Sequence, residues 1–298
     1  MFDLRYHVAS LAAVFFALVI GILVGVALAS HGLGHAERQR LERDLRIAQQ
    51  DNDNLRRQLD EYRADAAYVG NTYGSVMHDR LKGQRIAVLF VGSVDGKIRS
   101  AIAQTLEDAS ATVLRTRAIT VPIKAAGIRS TLAKNPLLAS FATGGKRFND
   151  IGVELADEFV VGGDTPLWDA LEGQLVEERS GSTKKPADAV VLVRTAAPQT
   201  DLATARLLNG LYSELAGRPL PVVGVERTDA RPSATRVFAQ FGLSTVSDID
   251  LQIGRVALAV ALSSADTGTG HYGIRDGEDV LPLVPPVTAT SSTTTAGG

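Results

Sequence analysis

Apolar positions in the first quarter of the chain follow two successive periods. Residues 8–30 carry no charged side chain. As a helix rising 1.5 Å per residue they span about 34 Å, enough for a hydrocarbon core of about 30 Å. Within that run Ala17, Gly21, Gly25 and Ala29 recur every four residues, a stripe of small side chains along which two helix backbones can approach closely. From 41 to 69 the apolar residues step by fours and threes: Leu41, Leu45, Ala48, Leu55, Leu59, Tyr62, Ala66 and Val69. Asn52 fills the one gap in register. Heptad position d then falls at Leu41, Ala48, Leu55, Tyr62 and Val69, and position a at Leu45, Asn52, Leu59 and Ala66.

This spacing predicts a coiled-coil stalk. A lone asparagine at position a fixes register in parallel pairs, and Asp51 at g can reach Arg56 at e of a partner, so the expectation is a parallel homodimer. Its contact residues are Gly21 and Gly25 in the apolar run, then Leu41, Leu45, Asn52, Leu55, Leu59 and Tyr62. The alternative is one solvated helix packed on its own domain, although such helices usually carry a wider apolar face. Residues 30–34 (Ser-His-Gly-Leu-Gly) separate the two periods. The first run itself reads as a transmembrane helix. A cleaved signal peptide is the rival, because Ala27-Leu28-Ala29 resembles a small-x-small cleavage site.

Beyond residue 84 the pattern changes to short continuous apolar runs alternating with helical periodicity. Strands are predicted at 86–91, 112–119, 189–193 and 221–225, with a short fifth at 244–246, and helices through Ile98, Ile102 and Leu106, over 201–216 and around 253–262. Strands apolar on both faces and separated by helices predict an α/β domain with a Rossmann-like parallel sheet covered on both sides. Residues 123–179 contain no convincing strand and read as a helical insertion around Trp168, followed by a polar break at 180–186. The predicted plan is a membrane anchor over 1–32, a stalk over 33–83, the α/β domain over 84–283, and a disordered Thr/Pro-rich tail over 284–298.

Composition narrows the chemistry. The chain has 298 residues, 45% of them hydrophobic, and a net charge of −2, so it lacks the basic footprint of a nucleic-acid binder. It has no cysteine, which removes disulfides, thiolate nucleophiles and Cys-type metal sites together. Arg38, Arg40, Arg43 and Arg46 follow the apolar run while only Arg5 precedes it within the chain. A positive-inside count would place the large domain in the cytoplasm, but large domains translocate largely regardless of charge.

Candidate sites are few. Gly92, Ser93 and Asp95 lie at the end of the first strand, where such sheets bind ligands, without the full G-x-G-x-x-G spacing. They form the candidate ligand-binding set. Asp248 and Asp250 could pair on a metal, but before a helix they read better as N-terminal caps. His31 and His35 stand at i,i+4 and could share a helical face. His271, between Gly270 and Gly273, is a candidate metal ligand that reads better as part of a structured turn. No catalytic residues and no bound cofactor are predicted.

The block Leu4-Arg5-Tyr6-His7, then residues 10–18 (Ser-Leu-Ala-Ala-Val-Phe-Phe-Ala-Leu), Gly21 and Gly25, a stalk, an α/β domain and His271-Tyr272-Gly273 together resemble the MctB copper-transport family. The plan is also similar to SteB, a membrane partner in cell-envelope assembly. The resemblance implies one membrane helix, a domain outside the cytoplasmic membrane, and a role in copper export or homeostasis. It leaves room for a cytoplasmic or envelope protein partner. The residues themselves offer Cu(I) little: it prefers thiolate or thioether ligands, and the only sulfur side chains are Met1 and Met77.

Overall fold

A computed structural model describes residues 4–197, 201–263 and 268–282; the expected tail over 284–298 lies outside them. The chain divides into two compact units, Met1–Ala67 and Tyr68–Gly298. Helix α1 (Leu4–Met77) runs without interruption for 74 residues, so its last turns belong to the second unit. No proline falls in this stretch, and Ala, Leu and Arg, all good helix formers, are its commonest residues. The backbone stays helical through Gly32 and Gly34. Within the first unit Ser10–Leu28 is long and apolar enough to cross a membrane, and none of it is buried.

The second unit is a three-layer α/β structure. Its strands are β1 (Arg85–Val91), β2 (Thr112–Ile119), β3 (Val176–Gly181), β4 (Ala189–Arg194), β5 (Val222–Val225), β6 (Ser244–Val246) and β7 (His271–Tyr272). They form one sheet in the order β3-β2-β1-β4-β5-β6-β7. All neighbours pair in parallel except β2 and β3, which are antiparallel.

Alternation along β1 explains how the sheet is covered twice. Ala87, Leu89 and Val91 join one core, while Ile86, Val88 and Phe90 join the other. The first core is closed by α3 (Ala125–Ala133), α4 (Arg147–Val161), α5 (Pro166–Ala170), α6 (Leu202–Ala216) and α7 (Thr235–Gln240). The second is closed by α2 (Gly96–Asp108), α8 (Gln252–Ser263) and the end of α1, which contributes Met77 at 1% exposure. Tyr73 of α1 ties to α2 by donating its hydroxyl to Asp108 at 2.6 Å.

Three expectations are corrected. The insertion does hold a strand: β3 pairs antiparallel with β2 from Arg115↔Gly181 to Ile119↔Val176. Its sequence, Val-Glu-Glu-Arg-Ser-Gly, shows no apolar alternation because it is a half-exposed edge, where charge protects against stray pairing. The same strand takes in Ser180 and Gly181, the start of the expected polar break. His271 lies not in a turn but in β7, paired in register with Thr245.

Candidate functional site

The chain reverses direction across the sheet between β1 and β4, and the crevice beyond the carboxyl ends of such strands is where open α/β sheets place ligands. Here that crevice is a cavity of about 280 Å³ lined by Asp95, Arg194, Thr195, Glu226, Arg227 and Asp229, among others. Of the predicted set Gly92, Ser93 and Asp95, Asp95 lines the cavity, while Gly92 and Ser93 lie in the turn between β1 and α2.

Gly92 has φ +104°, and a Cβ there would lie 2.7 Å from the Ala196 nitrogen and 2.8 Å from Thr195 Oγ1. The two strand ends are laced together at this point. The Thr195 and Ala196 N–H groups both donate to the Val91 carbonyl, at 3.0 and 3.2 Å, and the Thr195 hydroxyl donates to the Ser93 carbonyl at 2.5 Å. Asp95 caps α2: its carboxylate accepts from the Lys97 and Ile98 N–H groups at 2.8 and 3.0 Å. The helix N-terminus that would otherwise attract a phosphate is therefore already filled by an anion from the chain itself.

Across the crevice Glu226 is 1% exposed. Its carboxylate accepts from Ser233 Oγ at 2.8 Å, the Ala234 N–H at 2.5 Å, and the Thr235 N–H and Oγ1 at 3.1 Å each, and it pairs with Arg275. Arg275 also donates to the carbonyls of Arg227 and Thr228, at 3.1 and 3.2 Å. A buried charge is tolerable when its oxygens are saturated in this way. This pair binds the loop after β5 to the segment after β7. Sequence reading passed over it; the one signal was a carboxylate immediately after the apolar run of β5.

Asp248 and Asp250 do not act as the expected caps of α8. Asp250 instead accepts from the Thr228 N–H at 2.8 Å and the Thr228 hydroxyl at 3.0 Å. Asp248 is fully buried, and neither of its oxygens has a hydrogen-bond partner. Burial, reinforced by Glu278 and Asp250, pushes its pKa up to about 6.

For metals, His271 Nδ1 lies 3.0 Å from Thr245 Oγ1, and the side chains of His31 and His35 lie outside the described residues. Among the described residues no group of three or more His, Cys, Asp or Glu side chains could hold an ion. The Met77 thioether is sealed in the second core.

In the first unit, space is open where Cβ atoms would stand on Gly21 and Gly25. Leu41, Leu45, Leu55 and Leu59 are 74, 59, 63 and 49% exposed, four leucines in water on a single chain. Asn52 is exposed with them, and the Tyr62 side chain lies outside the described residues.

These features define an α/β protein with a mostly parallel seven-stranded sheet and one N-terminal apolar helix long enough to cross a membrane. Residues 1–283 match the family described as "Copper transport outer membrane protein, MctB", and the chain belongs to that family. It is similar to proteins named "Copper transporter MctB" from Mycobacterium bovis and Mycobacterium tuberculosis. Each is 26% identical over 313 residues, covering 93% of this chain and 98% of the relative.

Proposed function

We propose that this chain is a membrane-anchored, parallel homodimeric envelope protein, non-catalytic, with a Rossmann-like domain outside the cytoplasmic membrane and Met1 to His7 inside. Its role is in copper handling, as the names of its relatives suggest. The observation that carries the assembly is the row of exposed leucines Leu41, Leu45, Leu55 and Leu59 on α1. Leucines at heptad spacing gain stability by packing into the facing helix of a partner, which takes their apolar surface out of water.

The purified full-length protein in detergent should sediment as a dimer, and Leu45→Lys with Leu59→Lys should make it monomeric. A wild-type monomer at high micromolar concentration would remove this reading.

A second reading, an envelope-assembly scaffold of the SteB kind, is favoured by one observation: the thioether of Met77 is closed in the core at 1% exposure. Tight Cu(I) binding needs soft donors, and Met1 alone offers none in combination. Any copper phenotype then runs through a partner. In competition with Cu(I) and Cu(II) chelators, the dimer should fail to hold either ion at sub-nanomolar affinity. Binding that tight, abolished by substituting His31, His35 and His271, would make the chain itself the carrier.

A further inference from the structure

On the face of the sheet carrying α2 and α8 lies a second cavity, of about 450 Å³, lined by Lys97, Ser100 and Gln104 of α2, Arg227 after β5, and Asp250 and Arg255 at the start of α8, among others. The size falls within the range of small-molecule sites, roughly 300–1,000 Å³.

Three cations converge here and are poorly neutralised. Lys97 has no ion-pair partner among the described residues. Arg255 has none either; its side chain meets the Tyr73 hydroxyl, a neutral partner that leaves its charge uncompensated. Arg227 pairs with Asp229 at 3.1 Å, a carboxylate that is itself 71% exposed. The one carboxylate in the lining, Asp250, spends an oxygen on two donors of Thr228.

Lys97, Arg227 and Arg255 face one groove against a single carboxylate, which leaves its lining net positive. Guanidinium forks and an ammonium are the set that grips phosphoryl oxygens. The crevice at the end of β1 shares Arg227 but sets Asp95, Glu226 and Asp229 against its arginines, and so offers an anion less net positive charge.

We propose that this groove binds a phosphoryl group, carried either by a small soluble phosphate ester or by a phospholipid head group. Arg255 and Arg227 supply directional donors, Lys97 supplies charge, and the Ser100 hydroxyl supplies a further donor.

The test uses the full-length protein in a non-ionic detergent and calorimetric titration with inorganic pyrophosphate, and in parallel with a short-chain phosphatidic acid. Binding of at least one probe should weaken as ionic strength rises. Lys97→Gln and Arg255→Gln should each weaken it tenfold or more, while Arg255→Lys should retain part. Arg99→Gln, on the same helix but paired with Glu178, should leave it unchanged. Tighter binding of pyrophosphate assigns the soluble source, and tighter binding of phosphatidic acid the lipid. No binding of either probe, or binding indifferent to both Lys97→Gln and Arg255→Gln, would overturn the proposal. Lys97 is exposed, so its substitution tests the site without disturbing the core.

Discussion

Asp248 shows how a single carboxylate can set the pH response of a domain. Its pKa rises from 3.8 to about 6 because it is buried near Glu278 and Asp250. Glu158, buried and accepting from the Leu167 N–H at 2.9 Å and the Trp168 N–H at 3.1 Å, rises from 4.5 to about 7. When the folded pKa exceeds the unfolded one, the stability it contributes is full below the unfolded value and is lost as pH climbs through the folded value. The domain should therefore be more resistant to denaturant near pH 5 than at pH 8.

Asp248→Asn should raise stability at pH 8 by about 3 kcal/mol, the equivalent of that shift, and change it little at pH 4. Equal gains at both pH values in urea titrations would show that charge is not what Asp248 costs. In the sequence, Asp248 and Asp250 looked interchangeable ahead of a helix. Only their depth distinguishes them: Asp250 reaches Thr228, and Asp248 reaches nothing. Asp95 is similar, since a polar residue in a glycine turn serves equally as ligand or cap until its bonds to the Lys97 and Ile98 N–H groups are seen.

At the scale of elements, legibility followed burial. The apolar runs of β1, β2, β4, β5 and β6, and the periodic helices α6 and α8, lie where the pattern predicts them, because each is buried on at least one face and its composition is constrained by that. β3 and β7 escaped notice. One is a charged edge and the other only two residues long, and neither carries a periodicity to read.

The contact between α4 and α6 was equally silent, although two glycines write it. A Cβ on Gly152 would stand 2.0 Å from the Leu207 carbonyl oxygen, and one on Gly210 would stand 2.1 Å from that of Asn149. The helices thus touch backbone to backbone. Gly152→Ala or Gly210→Ala should force them apart at a cost of about 3 kcal/mol, the scale of overpacking in a tight core. Gly173→Ala, where nothing lies within 4 Å, should be nearly neutral. Thermal melts of the three variants check this, and a neutral Gly152→Ala would mean that the interface has slack.

For the whole molecule, the consequential feature is where α1 ends. Its final residue, Met77, is 1% exposed in the second core beside Leu81 and Ile102, and Tyr73 anchors to Asp108. The helix that carries the apolar segment and the leucine seam is thus also a wall of the α/β unit. A fragment starting at Tyr68 should be soluble and melt cooperatively, whereas one starting at Arg85 should expose the second core and aggregate; equal behaviour of the two in size-exclusion chromatography would refute this. It follows that a protease cutting between Met77 and Arg85 would not leave an intact domain behind, since Met77 and Tyr73 would part from the second core. Cleavage at that point would amount to destruction of the domain, because the cut removes part of its own core.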